Sequence, residues 1–172
     1  HDATINRCLT GKGPVSDYTL AELKAMRLKR AHGVATDSLR IPTLREALEC
    51  CKDRICVNVD QGYEYYDLVL QITEELGVTD QILIKGKRPV SVVAEKMAAH
   101  EHNMMYMPII DIQKENGKKL FDEYMETKTV PLAYEVCWKK LSPEVEDCFA
   151  KIHETGSKLW INTIWGSLCG YL

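Results

Sequence analysis

The sequence of 172 residues lacks several features that would assign it to a common class of protein. It has no run of about 18 consecutive apolar residues, so it predicts no transmembrane segment. No G-x-G-x-x-G motif follows a predicted strand, and a dinucleotide-binding fold therefore loses its main support. No C-x-x-C pair occurs, which argues against a zinc ribbon or a thioredoxin-type redox site.

A strong net charge is also missing. The chain carries 22 Lys and Arg against 25 Asp and Glu, for a net charge of −3. No general field therefore attracts nucleic acid or an anionic membrane, and we expect no nucleic-acid partner. The 7 cysteines are odd in number and irregularly spaced. We interpret most of them as small buried hydrophobic residues rather than as a disulfide framework.

The sequence does contain an alternation of strand and helix patterns. Five short apolar segments, the first of them enriched in β-branched residues, predict strands with amphipathic helical patterns between them: Arg54–Asp60, Gln81–Lys85, Met104–Ile110, Val130–Trp138 and Lys158–Thr163. Such alternation implies parallel strands joined by right-handed crossovers. Two architectures fit this pattern: an open doubly wound sheet, or part of an eight-stranded barrel.

Two helix starts upstream of these strands are unusually clear. Thr19 is followed three residues later by Glu22, and Thr43 is followed by Glu46 at the same spacing. This is the spacing of a capping box, in which threonine and glutamate satisfy each other's backbone N–H groups. We predict one helix over Thr19–Leu28 and a second that begins after Thr43.

The first residues and several later segments resemble the glycerophosphodiester phosphodiesterase family. The family's H-D motif corresponds to His1-Asp2, and its downstream pattern is matched by Thr4, Arg7, Gly11, Gly13, Val15, Asp17, Thr19, Glu22 and Leu23. The IPTL segment, the RICVNVD strand and the late KLWINTIW segment match further family patterns in the same order. The ordered set extends over essentially the whole chain.

The resemblance implies an α/β fold of the TIM (β/α)8 barrel type. The chain is then a partial barrel, with residues 1–172 forming one incomplete domain of about five parallel core strands and helices outside them. The family's H-R-G and E-x-D motifs and its last strand are missing, so we place two strands before His1 and one after Leu172. An unclosed barrel leaves strand edges and an apolar face open. We therefore expect this fragment to be inactive alone, and to self-associate or need the missing strands.

The resemblance also implies an activity. It predicts a metal-dependent phosphodiester hydrolase that releases glycerol 3-phosphate and an alcohol from a small-molecule glycerophosphodiester, with Ca²⁺ or Mg²⁺ as the divalent cation. The alternative is a non-catalytic barrel module that binds phosphate esters. The compartment stays open, because bacterial relatives of this type are often exported whereas free cysteines favour a reducing environment.

Two candidate residues carry the expected chemistry. His1 has an imidazole that titrates near neutral pH and can protonate a departing alkoxide; the resemblance makes it one of two catalytic histidines, and the alternative is a flexible terminal residue or a tag remnant. Asp60 ends a predicted strand, and its carboxylate suits a hard cation. The resemblance makes Asp60 a metal ligand, where the family has glutamate; the alternative is an Asx-turn or a helix N-cap. The family's phosphate-binding lysine falls at Gly62.

Three further residues are predicted to line the substrate site. Lys85 ends the next strand, where its ammonium can reach a phosphate or Asp60. Glu135 lies in the middle of a strand, where a charge inside a barrel needs a partner, so a purely structural pair with Lys85 is the alternative. Trp165 follows the fifth strand and either walls the pocket against a glycerol group or packs in the ordinary way.

Two other patterns are interpreted as surface features. His100 and His102 form H-x-H in a helix-to-strand connection, at the end of the barrel opposite to the usual site, so we expect no metal there. The basic cluster of Lys85, Lys87 and Arg88 belongs to a solvated loop rather than a nucleic-acid patch, because no basic stripe continues it.

Overall fold

Two units make up the chain. His1–Lys52 consists of loops and short helices, and Asp53–Leu172 is built around a parallel sheet. The computed structural model describes residues 1–30, 33–127 and 130–163.

The first unit contains helices α1, Leu20–Ala25, and α2, Leu44–Cys51. Both predicted capping boxes are present: each threonine side chain accepts a bond from the glutamate N–H, and each glutamate accepts one from the threonine N–H. Helix α1 is shorter than the predicted Thr19–Leu28. It ends at Ala25 because Met26 adopts an extended backbone, and Leu28 then forms an antiparallel bridge with Leu9.

The second unit alternates strands and helices. The strands are β1 Val57–Val59, β2 Ile82–Gly86, β3 Met105–Asp111, β4 Ala133–Cys137 and β5 Lys158–Ile161. The helices are α3 Tyr66–Leu76, α4 Val90–Ala98, α5 Glu115–Glu126 and α6 Pro143–Glu154, with a 3-10 helix over Gly62–Tyr65 before α3.

The strand order distinguishes between the two predicted architectures. All neighbouring strands are parallel, and their spatial order β1-β2-β3-β4-β5 follows the chain. A doubly wound sheet reverses its strand order at a switch point, whereas a (β/α)8 barrel adds strands in chain order. The prediction of a partial barrel with five parallel strands and intervening helices is confirmed.

Three strands are shorter than predicted, and one of them, β5, ends at Ile161 rather than at Thr163. Strand β1 begins at Val57 and ends at Val59, so Asp60 lies directly after the strand rather than within it. Strand β4 begins at Ala133 instead of Val130, because parallel pairing with β5 starts only there. Helix α3 ends at Leu76, and the next residue, Gly77, adopts the left-handed conformation.

The two faces of the sheet have different surroundings. The outer face carries fully buried Ile82, Ile84, Ile110 and Val136, with the aromatic rings of α5 packed against those of β3 and β4. On the inner face, Leu83, Met107 and Ala133 pack together. Side chains alternate between faces along a strand. The inner face therefore continues, two residues further on, to Lys85 and Glu135.

Helix α5 starts directly against the end of β3. A Cβ atom added at Gly117 would overlap the carbonyl oxygen of Asp111. Only glycine allows this approach, which holds the first turn of α5 at the carboxyl end of the sheet.

Candidate active site

Three of the predicted site residues meet on the inner face of the second unit. The ammonium of Lys85 donates to Glu135 Oε2 at 2.8 Å, and it lies 3.5 Å from Asp60 Oδ1. The side chain of Glu135 is 4% exposed and that of Lys85 14%, whereas Asp60 is 42% exposed. The Lys85–Glu135 ion pair is thus buried, and the site opens toward solvent at Asp60.

Electrostatics hold Lys85 in its charged form. Burial alone lowers the pKa of Lys85, but the hydrogen bond and charge of Glu135, with a further contribution from Asp60, outweigh burial and raise the pKa above its ordinary value. Lys85 therefore presents a fixed positive charge at neutral pH. Such a charge can bind a phosphate or stabilise negative charge that develops on one.

Asn58 adds an unsatisfied oxygen to the same face. It is paired in register with Leu83, so its side chain shares the inner face with Lys85. Its Oδ1 atom is buried, and no hydrogen-bond partner for it occurs among the described residues. A buried carbonyl oxygen without a partner costs free energy, and such atoms are uncommon in folded proteins.

A second polar layer lies beyond the Lys85–Glu135 pair, at the carboxyl ends of the strands. Asp111 ends β3, and its Oδ2 atom pairs with the ammonium groups of Lys87 and Lys114. Burial acts to raise the pKa of Asp111, but the hydrogen bonds from the two lysines outweigh it and lower the pKa. Cys137 ends β4 beside them, and burial raises the pKa of its thiol to about 11.

Sequence reasoning missed most of this layer. Lys87 is half exposed, as the solvated-loop interpretation predicts, but its ammonium is held by Asp111. Asp111 and Cys137 were not identified at all. Spacing is the signal that could have found Lys87 and Cys137, because they follow Lys85 and Glu135 by the two residues that return a strand to the same face.

The first unit places His1 beside a second carboxylate. His1 Nδ1 lies 3.1 Å from Asp2 Oδ1, and Arg7 donates to both oxygens of Asp2, at 2.6 and 2.9 Å. The side-chain hydrogen bond from Arg7 is the main reason that the pKa of Asp2 is lowered. Asp2 is therefore available as a charged partner that orients the His1 imidazole, which is 73% exposed.

The loop after His1 is firmly organised. The backbone N–H groups of Ile5 and Val15 donate to the carbonyls of Gly13 and Ala3, each at 3.0 Å. The Asn6 side chain accepts from the Gly13 N–H at 2.7 Å. These hydrogen bonds fix the conformation of the loop that follows His1 and Asp2 in the first unit. His1 and Asp60 belong to different units, and their joint role in one active site stays a prediction.

Gly62 occupies the position expected for the family lysine. It is buried, and an added Cβ atom would lie 2.8 Å from Ile84 Cγ2 and 3.1 Å from Val59 Cγ1. These distances are below normal van der Waals contact, so a lysine does not fit here without movement of the outer-face core.

Trp165 and His100 are the remaining residues singled out in the sequence. Trp165 lies outside the described residues. His100 contacts Asp67, with Nε2 to Oδ1 at 3.2 Å, and packs against the ring of Tyr66. An apolar cleft of about 730 Å³ lies between α4 and α5, near the amino ends of β3 and β4. Its walls are mostly apolar and include Val93, Met97 and Met105, together with the rings of Tyr106 and Tyr124.

The described ranges contain neither a cluster of metal-binding side chains nor a helix that could span a membrane. No group of three or more His, Cys, Asp or Glu side chains arranged to hold a metal ion occurs within residues 1–30, 33–127 and 130–163. No helix of that part of the chain is both long and apolar enough to cross a bilayer.

Parallel strands in barrel order, with charged side chains gathered at their carboxyl ends, define a protein of the (β/α) barrel class. The model of the glycerophosphoryl diester phosphodiesterase family matches residues 1–130, which is most of the chain. The chain belongs to this family. A second family model, described as a domain of unknown function, matches residues 106–172.

Individual relatives agree with this assignment. A glycerophosphodiester phosphodiesterase of Caldanaerobacter subterraneus subsp. tengcongensis is 28% identical over 108 residues, covering 58% of this chain and 44% of the relative. The crystal structure of a glycerophosphoryl diester phosphodiesterase from Parabacteroides distasonis is similar in fold, with a TM-score of 0.72 at 24% identity. That match covers 94% of this chain and 54% of the other. The chain therefore spans about half the length of these proteins.

Proposed function

We propose that this chain forms part of a hydrolase that cleaves glycerophosphodiesters to glycerol 3-phosphate and an alcohol. The observation that carries the proposal is the Lys85 ammonium, held by Glu135 and Asp60 at the carboxyl end of barrel strands in a chain of this family. A positive charge fixed at that end of a barrel suits a phosphodiester anion.

The chain's own residues supply two parts of the chemistry. Lys85 binds a non-bridging phosphate oxygen and offsets the charge that develops as the 2-hydroxyl of the glycerol attacks phosphorus. That attack forms a bond from the hydroxyl oxygen to phosphorus and breaks the bond from phosphorus to the departing alcohol, and the hydroxyl proton passes to the second catalytic histidine that the resemblance implies. His1 gives its proton to the alcohol oxygen as it leaves. Water then opens the cyclic phosphate to glycerol 3-phosphate.

A divalent cation, Ca²⁺ or Mg²⁺, belongs to the same proposal. The donors present fit part of a hard-cation site: Asp60 offers a half-exposed carboxylate, and Asn58 offers a buried oxygen with no described partner. These two residues would contribute to holding the ion. When bound, it would neutralise phosphate charge and activate the attacking hydroxyl.

The test is release of glycerol 3-phosphate from glycerophosphocholine by the full-length protein. We expect EDTA to abolish release and added Ca²⁺ or Mg²⁺ to restore it. We expect His1→Ala to lower kcat about 100-fold or more. Lys151→Met, on the outer surface of α6, is the control for loss of a lysine. Release that survives both chelation and His1→Ala would rule out this mechanism.

We expect these 172 residues to release no glycerol 3-phosphate by themselves, because they span about half the length of each relative. We also expect them to self-associate, which analytical ultracentrifugation measures. Measurable turnover by the 172-residue chain would contradict the first expectation, and a monomer at all concentrations would contradict the second.

A second candidate is a barrel module that binds phosphate esters without turnover. The observation that favours it is Gly62, where the family lysine is replaced and the buried position does not accept a larger side chain. Binding of glycerophosphocholine to the full-length protein, with no release of glycerol 3-phosphate in the presence of Ca²⁺ or Mg²⁺, would select this candidate.

A further inference from the structure

A small cleft opens at the carboxyl ends of β3 and β4, above the Lys85–Glu135 pair. Its volume is about 220 Å³. Three lysines line it, one after each of three neighbouring strands: Lys87 after β2, Lys114 after β3 and Lys139 after β4. Buried Cys137 and Trp138 also line it.

A side-chain clamp shapes this cleft. Gln113 Oε1 accepts from the backbone N–H groups of Lys139 and Lys140, at 2.9 and 3.3 Å. Its amide Nε2 donates to the Lys140 carbonyl at 2.7 Å. Gln113 therefore ties the segment after β3 to the segment after β4, and it sets the spacing of Lys114 and Lys139 across the cleft.

The charges of the cleft do not balance. Lys87 and Lys114 share a single oxygen of Asp111, and the Lys139 ammonium has no carboxylate partner in the part of the chain that the structure describes. Three ammonium groups thus face one carboxylate. An ion pair that served stability alone would need only one lysine for Asp111, so the excess positive charge suits an anion.

The position of the cleft relates it to the proposed phosphodiester site. Lys87 follows Lys85, and Cys137 follows Glu135, by two residues on the same face. Two residues along a strand correspond to about 7 Å. A ligand whose phosphodiester contacts Lys85 therefore extends its next group directly into the cleft.

We propose that this cleft is a second anion subsite, which selects glycerophosphodiesters whose alcohol part carries its own phosphate or carboxylate. Lys114 and Lys139 contact that group, and Asp111 orients Lys87 and Lys114. The substrate class rests on the proposed function, whereas the anion-binding property of the cleft does not.

The first experiment compares matched ligands by calorimetry on the full-length protein, in EDTA to prevent turnover. Glycerophosphoinositol and glycerophosphoinositol 4-phosphate differ by one phosphate, and glycerophosphoethanolamine and glycerophosphoserine differ by one carboxylate. We expect the more anionic member of at least one pair to bind about fivefold tighter or more. The pair that responds identifies the group as phosphate or carboxylate.

Two variants locate the effect. Lys139→Met should remove the preference and leave the affinity for the less anionic partner unchanged. Lys151→Met, on α6, should preserve the preference. Equal affinities within both pairs, or a preference that survives Lys139→Met, would overturn the proposal.

A second measurement separates this inference from the proposed function. If no diester binds in EDTA, titration with inorganic phosphate tests the cleft by itself, whereas the proposed function is tested by the release of glycerol 3-phosphate with added Ca²⁺ or Mg²⁺. We expect phosphate to shift the backbone amide signals of Gln113, Lys114 and Lys139, and the Lys114→Met/Lys139→Met variant to lose these shifts. Absence of these shifts in the wild-type protein would overturn the subsite as well.

Discussion

Lys85 and Glu135 form an ion pair at 2.8 Å although they are 50 residues apart and lie on β2 and β4, which are not neighbours. Met107 of β3 is paired in register with Lys85, so the contact passes over the inner face of β3. Strands two apart are separated by about 10 Å in a flat sheet. Curvature of the sheet toward its inner face, together with the length of both side chains, brings the two charges together.

The first prediction concerns this pair. Glu135→Leu leaves the Lys85 ammonium buried, with only the more exposed Asp60 carboxylate, 3.5 Å away, as partner. We therefore expect the free energy of unfolding to fall by about 3 kcal/mol. The double variant Lys85→Met/Glu135→Leu removes both charges and should lie within about 1 kcal/mol of the wild type. Urea unfolding measures both. A double variant less stable than Glu135→Leu would contradict the interpretation.

The second prediction concerns acid stability. The pKa of Asp111 is lowered from its ordinary value of 3.8. The contribution of its carboxylate to the free energy of unfolding is therefore complete above pH 3.8, and it is lost as the pH falls through the lower pKa of the folded state. Asp111→Asn should therefore cost about 1–2 kcal/mol near neutral pH, and progressively less below about pH 3.8.

Unfolding of wild type and Asp111→Asn from about pH 6 to about pH 2.5 measures this difference. The Lys87→Met/Lys114→Met background is the control, because removal of both partners leaves burial, which raises the pKa of Asp111, and should therefore reverse the pH dependence. A difference that stays constant over the whole range would show that the lysines do not stabilise the charged form.

The third prediction concerns the junction of β3 and α5. In an open helix, replacement of glycine by alanine adds about 1 kcal/mol of stability. At Gly117 the new Cβ atom would overlap the Asp111 carbonyl oxygen, so Gly117→Ala should instead lower stability by about 2 kcal/mol. Asn116→Ala, exposed on the same turn, should stabilise slightly. Thermal unfolding compares them, and a stabilised Gly117→Ala would refute the close approach.

The fourth prediction compares two asparagines. The buried Oδ1 atom of Asn58 has no partner among the described residues, so Asn58→Leu should raise the free energy of unfolding by about 1 kcal/mol. Oδ1 of Asn103 accepts a hydrogen bond from the Tyr66 hydroxyl at 2.6 Å, so Asn103→Leu should lower it by about 2 kcal/mol. Similar losses in both variants, in urea without added metal, would contradict the description of Asn58.

Much of the fold was predictable because its signals are local. Thr19 and Thr43 each stand three residues before a glutamate, and hydrogen bonds within one turn make both capping boxes. The five strands were recognisable as short apolar segments that alternate with helical patterns. Their ends were not, as at Asp60, because a strand ends where pairing with its neighbour ends, and that neighbour lies far away in the sequence.

The site was predictable only in part. Lys85, Asp60 and Glu135 were identified from their places at or near strand ends, and the structure brings them together. Asp111 and Lys87 were missed because an aspartate after a strand and a lysine in a loop are ordinary in isolation. Only their mutual ion pair distinguishes them.

The sequence by itself determined the order of strands and helices, both capping boxes and the family, because short-range spacing and residue type encode them. The tertiary structure alone decided that β2 to β4 curve so that Lys85 reaches Glu135, and that three lysines gather above that pair. The physical reason is that strand pairing and helix packing set the distance between these charges, and such contacts join residues that no local pattern connects.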